Sequence, residues 1–147
     1  MITKDMFEEY TPQDAYDRFY WGDLADDGTM VYALQRGETS IFVDVYDGQW
    51  ACEVLDPMCL LGQGFADTFE DAVAAALVDA YGVDEMEAED NCEDAVNAVA
   101  YTAYFELFGV ENVTEVKDFE ALDTMLGAAR SFVKSRIARV DYEWEEF

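Results

Sequence analysis

The spacing of apolar and polar residues changes period along this chain, and each change marks a predicted element. From about residue 29 to 55 the pattern alternates. "SIFVDVY" places Ile41, Val43 and Val45 on one face and Phe42, Asp44 and Tyr46 on the other. Asp47-Gly48 is a two-residue hairpin signal. "QWACEVL" then returns, with Trp50, Cys52 and Val54 sharing a face. Upstream, "TMVYALQ" enters through the turn "RGE". Together these predict a three-stranded antiparallel meander over about 29–55.

Helical spacing brackets the meander. "TPQDAYDRFYWG" predicts a helix over about 12–21, with Thr11 as cap, Pro12 in the first helical position and Gly22 as stop. "DPMCLLGQG", residues 56–64, reads as a loop. A second helix is expected over about 67–81, with Phe69, Val73, Ala76, Leu77 and Ala80 as its stripe. Asp67, Glu70 and Asp71 fall in its first turn, where the helix dipole favours acids.

A third helix is expected over about 91–108, capped by Asp90 or Asn91 and stopped by Gly109. From Ala95 to Phe108 only Asn97, Thr102 and Glu106 are polar, which predicts a core or interface position. A fourth, over about 118–139, starts with acids and ends with Arg130, Lys134, Arg136 and Arg139, the order its dipole favours. The tail "DYEWEEF" alternates acids with aromatics, as an edge strand or terminal segment would. The expected fold class is therefore α+β: a small three-stranded antiparallel sheet packed with three to four helices, in one domain over 1–147.

Composition supports a packed core. Of the 147 residues, 52% are hydrophobic and 15% aromatic, unlike a disordered acidic chain. No apolar run approaches the ~18 residues of a membrane span, and "MITKDMFEEY" has no apolar signal core, so a cytoplasmic protein without membrane contact is expected. Three cysteines, Cys52, Cys59 and Cys92, suggest free thiols rather than a disulfide framework.

Charge changes the picture most. The net charge is −26, from 34 acids and 8 bases. That sign argues against direct binding to nucleic acid, because phosphates would repel the chain. No Lys or Arg occurs from residue 37 to 116, a stretch with 19 acids. Its densest part, "VDEMEAEDNCEDAV", holds Asp84, Glu85, Glu87, Glu89, Asp90, Glu93 and Asp94 without a base. Half of the eight bases sit within 130–139.

Candidate chemistry is sparse. Histidine is absent, which removes His-based triads and His-ligated metals. "GQG" at 62–64 lacks the third glycine of a dinucleotide loop. Calcium-loop registers starting at Asp84 or Asp90 fail at their third and sixth positions. No catalytic residue, metal ligand or cofactor is assigned.

The acids therefore suggest a docking surface for a basic protein, with carboxylates standing in for phosphates. Carboxylates four apart on a helix are separated by ~6 Å of rise. Asp67–Asp71 and Asp90–Asp94 have that spacing where both members are helical. The candidate partner-binding residues are Asp84, Glu85, Glu87, Glu89, Asp90, Glu93 and Asp94, then Asp67, Glu70 and Asp71. The tail follows, with Asp141, Glu143, Trp144, Glu145 and Glu146 as an aromatic anchor in a charged rim.

In general character the chain resembles phage-encoded inhibitors of restriction and CRISPR enzymes: small, strongly acidic and without a catalytic motif. That likeness is compositional and transfers no residues. It implies a non-catalytic nucleic-acid mimic acting on a CRISPR effector or restriction enzyme. An acidic adaptor, or a salt-adapted binding protein without mimicry, stays open beside it. A carboxylate-based enzyme or weak calcium binder comes third. A head-to-tail second copy, forming a homodimer, would also account for the clustered bases and the apolar third helix.

Overall fold

A computed structural model describes residues 1–19, 29–82 and 92–145. In chain order the elements are β1 (Glu8–Tyr10), α1 (Pro12–Phe19), β2 (Val31–Arg36), β3 (Thr39–Tyr46), β4 (Gln49–Leu55), β5 (Leu60–Ala66), α2 (Phe69–Tyr81), α3 (Cys92–Phe108) and α4 (Phe119–Glu145). The strands form one antiparallel sheet in the order β1-β2-β3-β4-β5.

The meander over 29–55 is present, and its β3–β4 hairpin turns at Asp47-Gly48, both with positive φ (53° and 77°). The sheet nevertheless has five strands, which corrects the expected three. Glu8–Tyr10 adds an edge strand on β2, and the expected loop over 56–64 holds most of another. The turn between β4 and β5 is built by Asp56, whose side chain accepts from the N–H groups of Met58 and Cys59, each at 2.7 Å.

Gly62 and Gly64 face α2 with no side chain between. A Cβ at Gly62 would stand 2.4 Å from the Ala80 nitrogen, and one at Gly64 2.6 Å from the Ala76 nitrogen. The glycines let the helix lie directly on the strand, as Gly in a strand often signals. Past Gly62 the register shifts between Val54 and Leu55, a bulge that leaves Leu61 as the extra residue.

α2 is the central helix. Ala72, Val73, Ala74, Ala76, Leu77 and Val78 are all buried. β4 and β5 cover one side of α2, and α3 and α4 cover the other. Ile41, Val43, Cys52 and Val54 meet it from the sheet. The opposite sheet face carries a smaller core, in which Ala15 of α1 packs with Val31, Ala33 and Phe42. At one end Phe69 meets Phe7, Tyr32 and Trp50 edge-on at 5.3–5.6 Å, and the Lys4 ammonium lies 4.8 Å from the Trp50 ring centroid.

Thr11 caps α1 as expected, and Thr68, in the region expected to start α2, caps α2. Thr11 Oγ1 accepts from the Asp14 N–H at 3.1 Å, and Thr68 Oγ1 from the Asp71 N–H at 3.2 Å. Tyr104 Oη accepts from the Asp118 N–H at 3.1 Å and joins α3 to the start of α4. Arg36 Nε donates to the Leu107 carbonyl at 2.9 Å, which places a cation at the negative end of α3. α4 runs on to Glu145 instead of ending near 139, so most of the tail expected as a strand or terminal segment is helical. No Gly or Pro interrupts residues 128–145. No helix among the described residues is long and apolar enough to cross a membrane.

Candidate functional site

The candidate acids separate into three groups in the structure. Asp84, Glu85, Glu87, Glu89, Asp90 and Glu146 lie outside the described residues. Glu93 and Asp94 sit exposed in the first turn of α3, and Asp141, Glu143, Trp144 and Glu145 fall on the last turns of α4. Glu70 and Asp71 open α2 as expected, but Asp67 does not belong to that helix. Thr68 is the extended cap (φ −120°), so Asp67 precedes it and the ~6 Å helical spacing to Asp71 does not apply.

The fold brings a further set of acids to Asp67, Glu70 and Asp71. The Thr124 hydroxyl of α4 donates to Glu70 Oε1. Twelve residues on from Glu70, a Cβ at Gly82 would stand 2.7 Å from the Phe132 ring. α2 and α4 therefore run in the same direction, with the first turn of α2 beside the second turn of α4. Asp118, Glu120 and Asp123 at the start of α4 lie at the same end of the molecule. Two positive helix ends face this cluster and lower the cost of gathering the charges.

Asp118 has local work as well. Its Oδ1 accepts from the Ala121 N–H at 3.1 Å, and its Oδ2 pairs with the N-terminal amine of Met1. The hydrogen bond from that amine, helped by the Ala121 N–H, holds the carboxyl below the usual carboxylate range against the opposing effect of burial.

Asp79 is a residue that sequence reasoning passed over. It stands two turns beyond Asp71, and its Oδ2 accepts from the Gln63 N–H at 3.0 Å. The signal for it was present in the spacing of Asp71, Ala75 and Asp79, which lie four apart and so on one helix face.

Between the outer edge of β5, α2 and α4 runs an open groove of about 810 Å³. Among the described residues Asp71 and Asp79 are its charged lining groups. Ala75, Gly127 and Ala128 keep its floor low, and Ser131 and Ser135 line α4. Phe65 stands beside it with half of its surface exposed. Glu120 and Asp123 lie near one end of α4, and Arg130 and Lys134 are exposed further along it.

The thiols differ sharply. Cys52 is buried between sheet and helices, and burial pushes its thiol far above the usual range. Cys59 is exposed beside Asp56. Among the described residues no group of three or more His, Cys, Asp or Glu side chains is arranged to hold a metal ion. Among the described residues the surface offers a concentration of carboxylates on helix starts and an acid-lined groove. No family model, curated protein or solved structure matches the chain.

Proposed function

We propose that the protein is a non-catalytic inhibitor that binds a basic nucleic-acid-binding protein, with carboxylates occupying the places of phosphates. The observation that carries this reading is the 80-residue window without a base, residues 37 to 116. It includes β3, β4, β5, α2 and α3. Glu38, Asp47, Asp67, Asp71, Glu93, Asp94, Glu106, Glu111 and Glu115 of that window are exposed. A like-charged pair at ~6 Å in water repels by about 0.7 kcal/mol. Many such pairs weigh against a net stability of about 5–15 kcal/mol. A partner of opposite field would turn that cost into fast, steered association.

The target class follows from the charge. A groove built to hold phosphates presents Lys and Arg side chains, and a carboxylate surface competes for them. The compositional likeness to phage inhibitors of restriction and CRISPR enzymes points to a defence nuclease.

The test is a pull-down from the native host's lysate at low salt, eluted with a salt gradient and identified by mass spectrometry. One nucleic-acid-binding enzyme leaving in a sharp step, and displaced by added DNA or RNA, is the expected result. A smear of unrelated basic proteins leaving at modest salt would refute it.

A further inference from the structure

We propose that the groove between β5, α2 and α4 takes an extended segment of the partner, added as a sixth strand beside β5, with Lys or Arg at positions i and i+4 of one face. The proposal rests on the reading that the partner is basic.

The sheet edge supplies the first reason. Among the described residues nothing pairs with β5 on the side away from β4. The Gln63 N–H points that way, because it donates to Asp79 rather than to β4. In an antiparallel strand both backbone groups of a residue point to the same side, and alternate residues share that direction. Phe65 therefore presents its N–H and C=O outward as Gln63 does. An incoming strand would find hydrogen-bonding groups at the spacing it needs.

The groove supplies the second. Asp71 and Asp79 are eight residues apart on α2, about 12 Å of helical rise. On an extended chain, residues i and i+4 share a face and are about 13 Å apart. Two cations at that interval meet the two carboxylates. The residue between them, at i+2, faces the low floor of Ala75 and Ala128, which leaves room for a medium apolar side chain.

Charge selects the occupant. Among the described residues the lining holds two acids and no base. A second copy of this chain fits badly: its own edge strand, "LLGQGFA", has no cation. Residues 20–28 and 83–91 of the same chain carry no Lys or Arg either. Asp79 acts as a gate. It covers the Gln63 N–H and so blunts the edge against casual pairing, as charged groups on edge strands do. A strand bearing a cation can draw the carboxylate away and keep it paired; a neutral strand cannot.

The experiment uses two synthetic peptides of one composition and titrates them into the full chain. Thr-Lys-Thr-Val-Thr-Lys-Thr has its lysines four apart on one face, and Thr-Lys-Thr-Val-Lys-Thr-Thr has them on opposite faces. Binding is followed by calorimetry and by amide NMR shifts at Gln63 and Phe65. Two variants remove equal charge: Asp71→Asn with Asp79→Asn, and Asp14→Asn with Asp17→Asn, exposed on α1 across the sheet from the groove. Asn keeps the shape of Asp79 and an oxygen that can accept from Gln63, so the fold should persist, and circular dichroism checks this.

The first peptide should bind better than the second and shift both amides. Its affinity should fall about tenfold in the groove variant and less than twofold in the α1 variant. Equal binding of both peptides, or equal losses in both variants, would overturn the groove while leaving a basic partner in place. No binding of either peptide would also overturn it. The lysate pull-down decides the wider function separately.

Discussion

Gly62→Ala should destabilise the protein even though alanine is the better residue for an ordered backbone. In most ordered positions the change helps, because it narrows the unfolded ensemble by about 0.4–1 kcal/mol. Here the new methyl would stand 2.4 Å from the Ala80 nitrogen, and 2.7 Å from the Ala76 oxygen and the Ala80 Cα. All three are backbone atoms of α2, so no side chain can swing aside. The helix would have to retreat by about 1 Å, and gaps of that size forfeit a quarter to a half of each dispersion contact. Overpacking of this kind costs about 3 kcal/mol. Subtracting the entropy gain leaves a net loss of about 2–2.5 kcal/mol, or about 5–10 °C in melting temperature for a chain of this length.

Gly127→Ala makes the opposite case. That glycine lies inside α4, is exposed, and nothing stands within 4 Å of its would-be Cβ. Replacing a helix-interior glycine there should stabilise by about 0.5–1 kcal/mol. Urea titrations followed by circular dichroism measure both changes. Gly62→Ala unfolding at or above the wild-type midpoint would refute the close seating of α2 on β5.

Two further predictions rest on single groups. Asp118→Ala loses the cap of α4 and should cost about 1 kcal/mol, whereas Asp118→Asn keeps an acceptor for the Ala121 N–H and should cost less; equal losses in urea midpoints would remove the capping role. Because the folded-state carboxyl is held below its unfolded value of about 3.9, its contribution is present above that pH and lost as pH falls through the lower folded value, so Asp118→Asn should lose less than the wild type between pH 5 and 3. In a Cys92→Ser background a thiol reagent should titrate Cys59 in the native protein and Cys52 only after unfolding, since Cys52 is 1% exposed; rapid reaction of two thiols would contradict the core assignment.

The elements that sequence predicts well are those whose own side chains report their environment. β3 and β4 are legible because Ile41, Val43, Cys52 and Val54 recur at every second residue on the face toward α2, and Asp47-Gly48 can adopt the positive φ of a tight hairpin. α2 begins two residues after its expected start and ends at Tyr81 as expected, and α3 ends one residue before its expected stop at Gly109, while the cap expected at Asp90 or Asn91 lies outside the described residues. β1 is three residues long, too short to display a period. The extension of α4 was hidden by the acid–aromatic alternation of its last residues, although no breaker separates them from the helix before them. In the candidate site, Glu70 and Asp71 are legible as first-turn acids. Their meeting with the start of α4 is a tertiary event that no spacing records.

β5 shows why an entire strand can be missed. A strand reveals itself through apolar side chains on the face it buries. Where a helix must approach at backbone distance, that face can carry only hydrogen, so the strand spells "GQG" and resembles a loop. The same closeness settles what the edge becomes. With no side chains at Gly62 and Gly64 to hold it off, α2 lies near enough for Asp79 to reach round and accept from the Gln63 N–H. With larger residues there the helix would stand further out and the outer N–H would be left open. The glycines that conceal the strand are therefore what allow its exposed edge to be guarded by a carboxylate.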